Sequence, residues 1–130
     1  MRKIYAMVCL ILDEKRKVLL LKRDLSKKFF PGKWAPVAAA PLRKNTNMGE
    51  IALREIKDEL GVEGKIIKRG GDIDIKTGGT NWVIAPFLAS IKSKEIILNK
   101  EHTEARWVPL EELGKYDLVP GLEEAVRKVL

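Results

Sequence analysis

Three carboxylates lie close together in residues 53–64, the segment LREIKDELGVEG. A helix turns by about 100° per residue, so Glu55, Asp58 and Glu59 would share one arc of its surface. Glu55 and Glu59 stand one turn apart, and like charges at this spacing destabilise a helix by about 0.2–0.5 kcal/mol. A hard cation such as Mg²⁺ or Mn²⁺ removes that repulsion and keeps positions open for substrate phosphates. The spacing is therefore compatible with a metal site on one helix face.

A solvated acidic face is the second interpretation of the same residues. Arg54 stands one turn before Asp58, and Lys57 lies among the acids, so part of the repulsion is offset without a metal. Helix faces rich in Glu, Asp and Lys are common in soluble proteins, and on spacing alone this interpretation is the favoured one.

The composition points to a small anionic partner and to a single domain over residues 1–130. The chain carries a net charge of +7, and its basic residues are spread along the sequence without an Arg-rich tract. We therefore expect a phosphorylated small molecule as ligand rather than a polynucleotide. The sequence has no run of 18 apolar residues, so no membrane span is expected. The single Cys9 excludes an internal disulfide and is typical of a protein of the reducing cytoplasm.

Strands are predicted on both sides of the acidic helix. KIYAMVCLIL and KVLLLKR have the character of buried strands, and APVAAAPL, KIIKRGGDIDI, TNWVIAPFLASI and EARWV predict further strands. Pro86 predicts an irregularity in its strand, and the Gly70–Gly71 pair predicts a bulge or turn. PGLEEAVRKVL predicts a second helix. The order predicts an α/β (α+β) fold in which helices pack on a mixed sheet.

The ends and the buried face of the acidic helix follow from local signals. Asn47 with Glu50 three residues later forms a capping-box pattern, and Gly61 is a C-terminal stop after Leu60. The apolar residues cluster within about a quarter turn, so the buried stripe is expected to consist of Ala52, Leu53, Ile56 and Leu60. The three acids occupy the neighbouring arc.

REIKDELGV resembles the second half of the Nudix box, whose pattern is G-x5-E-x7-R-E-U-x-E-E-x-G-U with U a bulky aliphatic residue. Residues 54–62 fill the last seven specified positions, and only Asp58 differs in type while keeping the charge. GKW before the box and EARWVPLEEL after it also resemble the family, so the likeness covers most of the chain. It implies a Nudix-like α/β/α sandwich with a mixed β-sheet, a Mg²⁺ or Mn²⁺ cofactor, and hydrolysis of a nucleoside diphosphate linked to another group.

The first half of the box departs from the pattern. The family's Gly falls on Ala40 and its Glu on Thr46. Ala40 can still offer a backbone carbonyl to a metal if the turn does not demand a positive φ, whereas Thr46 cannot replace a carboxylate. Glu50, one turn further on, is a speculative substitute. These departures keep open a weak or inactive Nudix-fold module that binds nucleotides. Separately, the basic charge permits an enzyme that removes diphosphate from RNA 5′ ends, without singling it out.

The resemblance implies site roles by position. Glu55 and Glu59 would be the main metal ligands, with Asp58 as a further ligand and the Ala40 carbonyl as another. Arg54 would orient the carboxylates through a charge-assisted hydrogen bond. The general base varies within the family, and the candidates here are Glu59, ranked first, followed by Glu101 and Glu104.

Further candidates concern the substrate. Arg23 at the end of a strand and Arg43 before the helix would bind phosphate, although each is equally compatible with a solvated surface. Trp82 is a candidate for the wall of the substrate pocket. The only histidine, His102, is adjacent to acids, but an ordinary loop residue is the favoured interpretation. The partner implied is a small nucleotide. The family also often forms homodimers, and binding to nucleic acid stays open.

Overall fold

The computed structural model describes residues 1–130 and contains eight strands, two α-helices and one 3-10 helix. In chain order these are β1 (Arg2–Ile11), β2 (Lys17–Arg23), β3 (Trp34–Ala35), β4 (Val37–Leu42), α1 (Met48–Leu60), β5 (Gly64–Arg69), β6 (Ile73–Thr77), β7 (Thr80–Ile91), β8 (His102–Pro109), the 3-10 helix (Leu110–Lys115) and α2 (Leu122–Val129). Neither α-helix is long and apolar enough to cross a bilayer.

The strands form two sheets. The larger is mixed, with the order β4-β1-β7-β5 and with β6 also beside β7. Its centre is the parallel pair of β1 and β7, which runs from Arg2 opposite Thr80 to Ile11 opposite Ala89. The smaller sheet is antiparallel, with the order β3-β2-β8. The predicted mixed sheet is confirmed, and the second sheet brings β2 and β8 to the site described below.

β7 runs unbroken through Pro86. The irregularity predicted there is instead a change in the strand that pairs with β7. Before Pro86, β7 pairs with β6, and after it, β7 pairs with β5. Proline has no N–H to give to a ladder, so it suits the junction between two pairings. The Pro86 carbonyl accepts a hydrogen bond from the Gly70 N–H at 2.9 Å, which fixes the break between β5 and β6.

Two buried clusters lie on opposite faces of the mixed sheet. One packs β1, β7 and the smaller sheet against α2, with Leu20, Trp82 and Leu122 among its members. The other packs β1, β4 and β7 against α1, with Met7 and Ile56 among its members. Because β1 is covered on both faces, its residues are apolar almost throughout, as in a strand at the centre of a layered fold.

Helix α1 begins and ends as the sequence predicts. The side chain of Asn47 accepts a hydrogen bond from the Glu50 N–H at 3.1 Å, and Gly61 ends the helix in the left-handed region at φ 70°. A residue with a Cβ is disfavoured at this φ, which explains why the helix ends at a glycine.

The predicted buried stripe of α1 is wrong at one position and incomplete at two. Leu53 is 39% exposed, whereas Ile51 and Glu59 are buried with Ala52, Ile56 and Leu60. Glu59 follows Ile56 by three residues and Ala52 by seven, so helical geometry puts it in their row. A prediction made from residue type alone left this carboxylate off the buried face.

Candidate active site

Helix α1 and the segment before β8 bring three carboxylates together. One oxygen of each of Glu55, Asp58 and Glu101 lies within 4.8 Å of the others. Glu101 immediately precedes β8, and its carbonyl accepts the Asp24 N–H at 2.9 Å, which ties it to the end of β2. Oxygen ligands at this separation form the donor set that Mg²⁺ and Mn²⁺ prefer. We refer to these three residues as the acid cluster.

Two side chains that the sequence analysis missed hold the acid cluster. The amide nitrogen of Asn99 donates to Glu101 Oε2 at 3.0 Å and to Asp58 Oδ2 at 3.3 Å. The Nζ atom of Lys27 lies 2.7 Å from Glu101 Oε1. An Asn side chain often accepts a hydrogen bond from the backbone N–H two residues later. Asn99, two residues before Glu101, could therefore have been found from the sequence. No local signal in the sequence points from Lys27 to Glu101, which lies far along the chain.

Glu59 lies behind the acid cluster as a buried carboxylate without a partner. It is 1% exposed, and neither of its oxygens accepts a hydrogen bond. Burial raises its pKa well above the usual value, and the carboxyls of Glu101 and Glu55 raise it further. A buried ionisable group in this state is costly unless a charge compensates it. This orphaned carboxylate is an independent observation that favours a cation at the acid cluster.

His102 does not provide that compensation. It is buried as the first residue of β8, which corrects the expectation of an ordinary loop residue. Its Nε2 atom lies 3.6 Å from Glu59 Oε1. Burial lowers the pKa of His102 to about 4, an effect that neighbouring Glu101 opposes in part. At neutral pH the imidazole is therefore uncharged and supplies no positive charge to Glu59.

Glu55 and Arg54 are neighbours in sequence but differ in solvent exposure and in their contacts with the site. Glu55 is half-buried and lines the pocket described below. Burial raises its pKa, and the nearby carboxyls of Asp58 and Glu101 add to the effect. Arg54 is exposed, and no hydrogen bond or ion pair joins it to the carboxylates. The orienting role predicted for Arg54 therefore has no contact to support it in this structure.

The acid cluster lines the main pocket of the protein, which has a volume of about 360 Å³. The other charged side chains that line it are Arg23 and Lys27, so the pocket wall carries three acids and two cations. Arg23 Nε also donates to the Phe29 carbonyl at 2.9 Å, and burial lowers the pKa of its guanidinium, while Glu59 and Glu101 oppose the shift. A site with acids for a metal and bases for an anion has the charge arrangement that a metal-bound phosphate ester needs.

The remainder of the pocket is apolar and aromatic. Trp82 lines it, as predicted, but is only 6% exposed. The Phe29 ring meets Trp82 edge to face at 4.9 Å, and the Phe30 ring lies at 5.5 Å. Trp82 is therefore part of a packed wall, and it offers no free face on which a base could stack.

β4 supplies another wall of the pocket. Ala38, Ala39 and Ala40 line it, and Ala40 does not have a positive φ. The condition for Ala40 to stand in place of glycine is thus met, because its backbone conformation is one that any residue adopts.

Several predicted residues lie elsewhere. The Glu104 carboxylate accepts a hydrogen bond from Arg106 Nε at 2.6 Å and lines a second, shallower pocket. Arg43 is exposed in the turn between β4 and α1, outside the main pocket, and its carbonyl accepts the Thr46 hydroxyl. Glu50 is exposed at the start of α1 and does not join the acid cluster.

Known proteins similar to this chain share one family. A family profile described as NUDIX domain matches residues 1–129. The nucleoside triphosphatase NudI of Enterobacter sp. (strain 638) is 30% identical over 122 residues, with 85% of this chain and 86% of that protein covered.

Solved structures agree at the level of the fold. The MutT protein of Methanosarcina mazei Go1 superposes with a TM-score of 0.82 at 23% identity, covering 97% of this chain and 91% of that one. A MutT NUDIX hydrolase of Burkholderia pseudomallei also gives a TM-score of 0.82, at 21% identity and with both chains covered completely.

Proposed function

The chain belongs to the Nudix hydrolase family, and from that premise we propose that it hydrolyses a nucleoside diphosphate linked to another group, with a divalent cation as cofactor. The observation that carries the proposal is the acid cluster in the wall of the pocket, with the buried, unpartnered Glu59 next to it. A nucleoside triphosphate is the first substrate to test, because one relative is named a nucleoside triphosphatase. ADP-ribose and nucleotide sugars are the next.

The residues that would hold Mg²⁺ or Mn²⁺ are Glu55, Asp58 and Glu101. Glu59 adds negative charge behind them, and the carbonyl of Ala40 is a further oxygen donor on the pocket wall. When bound, such a cation supplies Lewis acidity towards phosphoryl oxygens and lowers the pKa of a bound water.

Glu55 is the general base that the geometry supports best. It lines the pocket and makes no ion pair, so one of its oxygens can bind the cation while the other accepts a proton from an attacking water. Both oxygens of Glu101 are engaged, one by Lys27 and one by Asn99. Glu59, which the sequence ranked first, lies beneath the pocket surface at 1% exposure. We therefore propose Glu55 as the base in preference to Glu59, Glu101 and Glu104, the candidates named from the sequence.

The other pocket residues orient the substrate. The guanidinium of Arg23 lines the same pocket as the acids and would balance phosphate charge. The apolar wall around Trp82 would hold the group that is not phosphate, by contact and exclusion of water.

Turnover with a panel of substrates tests this function. The protein is incubated with nucleoside triphosphates, ADP-ribose and nucleotide sugars in Mg²⁺ or Mn²⁺, and phosphate is measured after a phosphatase step. We expect hydrolysis that stops in EDTA and falls strongly in Glu59→Gln, since that substitution removes charge behind the metal. Hydrolysis that persists in EDTA would contradict the proposal.

A nucleotide-binding module without activity is the second candidate. Thr46 takes the position of a family carboxylate and its hydroxyl bonds to the Arg43 carbonyl, while Glu50 lies outside the acid cluster. Tight binding of a nucleotide with Mn²⁺ but without turnover of any member of the panel would favour this candidate.

A further inference from the structure

The acid cluster has a Lys or Arg partner at Glu101 alone. The Nζ atom of Lys27 lies 2.7 Å from Glu101 Oε1, in a pair whose side chains are 27% and 36% exposed. Glu55, Asp58 and Glu59 have no Lys or Arg within ion-pair distance. Lys27 also lines the main pocket. Its ammonium therefore lies beside a proposed metal ligand and in the wall of the pocket proposed for the phosphate.

The backbone around Lys27 is tied to the site. The loop joins β2 to β3, and the Asp24 N–H donates to the Glu101 carbonyl at 2.9 Å. Further along the loop, the Gly32 N–H donates to the Arg23 carbonyl at 3.0 Å, and the Arg23 side chain holds the Phe29 carbonyl. With the backbone held at these points, the part of Lys27 that is free to move is its flexible four-carbon side chain.

Two cations at Glu101 would oppose each other. The Lys27 ammonium and a divalent cation bound by the acid cluster carry like charge at close range, so they repel each other. Glu101 keeps its contact with Asn99 through the other oxygen, so it does not need Lys27 to stay in place. The repulsion is relieved at the lowest free energy when the Lys27 side chain moves away from Glu101.

We propose that Lys27 exchanges partners: it neutralises Glu101 in the metal-free protein and moves to a substrate phosphate when a cation occupies the acid cluster. The inference rests on the proposed function, because it takes the ligands to be a divalent cation and a diphosphate. It has a consequence for binding, since the metal must displace Lys27 and the phosphate gives the displaced ammonium a new partner. Metal and substrate then bind cooperatively, and each raises the affinity for the other by the same factor.

Mn²⁺ titration in the absence of nucleotide tests the first half. The wild type is compared with Lys27→Met, Lys27→Arg and the control Lys33→Met by calorimetry. Lys33 is a matched control because it lies on the same loop and pairs with Asp117 at 2.7 Å, away from the acid cluster. We expect Lys27→Met to bind Mn²⁺ about fivefold more tightly. Lys27→Arg and Lys33→Met should stay close to the wild type.

A second titration tests the transfer to phosphate. A nucleoside triphosphate analogue with a methylene bridge between its α- and β-phosphorus atoms, which resists hydrolysis there, is titrated with and without Mn²⁺. In the wild type, Mn²⁺ should raise its affinity strongly, and in Lys27→Met that enhancement should shrink several-fold. Thermal unfolding of each variant shows that the fold is kept.

The two proposals fail in different ways. If the wild type takes up no Mn²⁺ even with the analogue present, the proposed function is overturned, and this inference with it. If the wild type binds Mn²⁺ but Lys27→Met binds it equally or more weakly, only the inference is overturned. Full retention of the Mn²⁺ enhancement in Lys27→Met likewise refutes the transfer of Lys27 to phosphate.

Discussion

The two pockets of this protein both bring acids and bases together, but they balance their charges differently. In the second pocket each acid has a cation: Glu104 pairs with Arg106 at 2.6 Å, Asp117 with Lys33 at 2.7 Å, and Glu112 with Lys115 at 3.5 Å.

In the main pocket, Glu55 and Asp58 have no Lys or Arg partner, and the same is true of Glu59 behind them. Charges that pair internally need no ligand, whereas acids held together without cations are destabilised until one binds. The difference teaches that a cation-binding site is recognised by carboxylates that have no Lys or Arg partner, rather than by the number of carboxylates.

The comparison is tested most strongly by removing one acid from each pocket. Glu55→Gln should lower kcat by about 10²–10⁴, because the proposed base and metal ligand loses its charge. Glu104→Gln should leave kcat and KM close to the wild type, since its carboxylate is already neutralised by Arg106. Steady-state kinetics with the best substrate of the panel measures both. A larger loss in Glu104→Gln than in Glu55→Gln would reverse the assignment of the two pockets.

The basic residues offer the next contrast. Arg23 lines the main pocket and Arg43 does not. We expect Arg23→Met to raise KM about tenfold, as a charge-assisted phosphate contact is lost, whereas Arg43→Met changes KM by less than about twofold. Equal effects of the two substitutions on KM would show that the phosphate is bound outside this pocket.

Stability without metal should show the cost of the unpartnered acid. In EDTA, Glu59→Leu should raise the Tm by about 5 °C, because it removes a buried carboxylate that accepts no hydrogen bond. Asp58→Asn, a change at an exposed acid of the same helix, serves as control and should have a much smaller effect. Calorimetric unfolding measures the shift. A lower Tm for Glu59→Leu would mean that the carboxylate is compensated without a metal.

The smallest effect concerns Cys9, another ionisable group buried beside α1. Burial raises the pKa of the Cys9 thiol to about 12, and the charge of Glu59 adds to the shift. A thiol stays neutral at this pKa, so burial leaves no charge to compensate. Iodoacetamide at pH 8 should therefore leave the folded protein unmodified and alkylate it in guanidinium chloride, as followed by mass spectrometry. Rapid labelling of the folded protein would contradict the buried assignment.

The secondary structure was predictable because its signals are local. The cap at Asn47, the stop at Gly61 and the apolar runs of β1 and β2 are each decided within a few residues. The stripe of α1 failed at Leu53 and Glu59, because residue type was followed there in preference to position on the helix.

The site was predictable in part. Sequence spacing brought Glu55 and Asp58 together and named Glu101 as a candidate, and the structure places its carboxylate with theirs. Lys27 and Asn99 could not be placed, because loop conformation and contacts between distant segments leave no periodic signal. Glu104 was not separable from Glu101 either, since the direction of its side chain depends on the register of β8 with β2.

The parallel pairing of β1 with β7 bears on the order of events during synthesis. Arg2 lies opposite Thr80 and Ile11 opposite Ala89, so more than half of the chain separates the two partners. Pairings this distant are entropically slow to form. β1 therefore leaves the ribosome well before its partner β7, with apolar residues on both faces, and the nascent chain is most prone to aggregation during that interval.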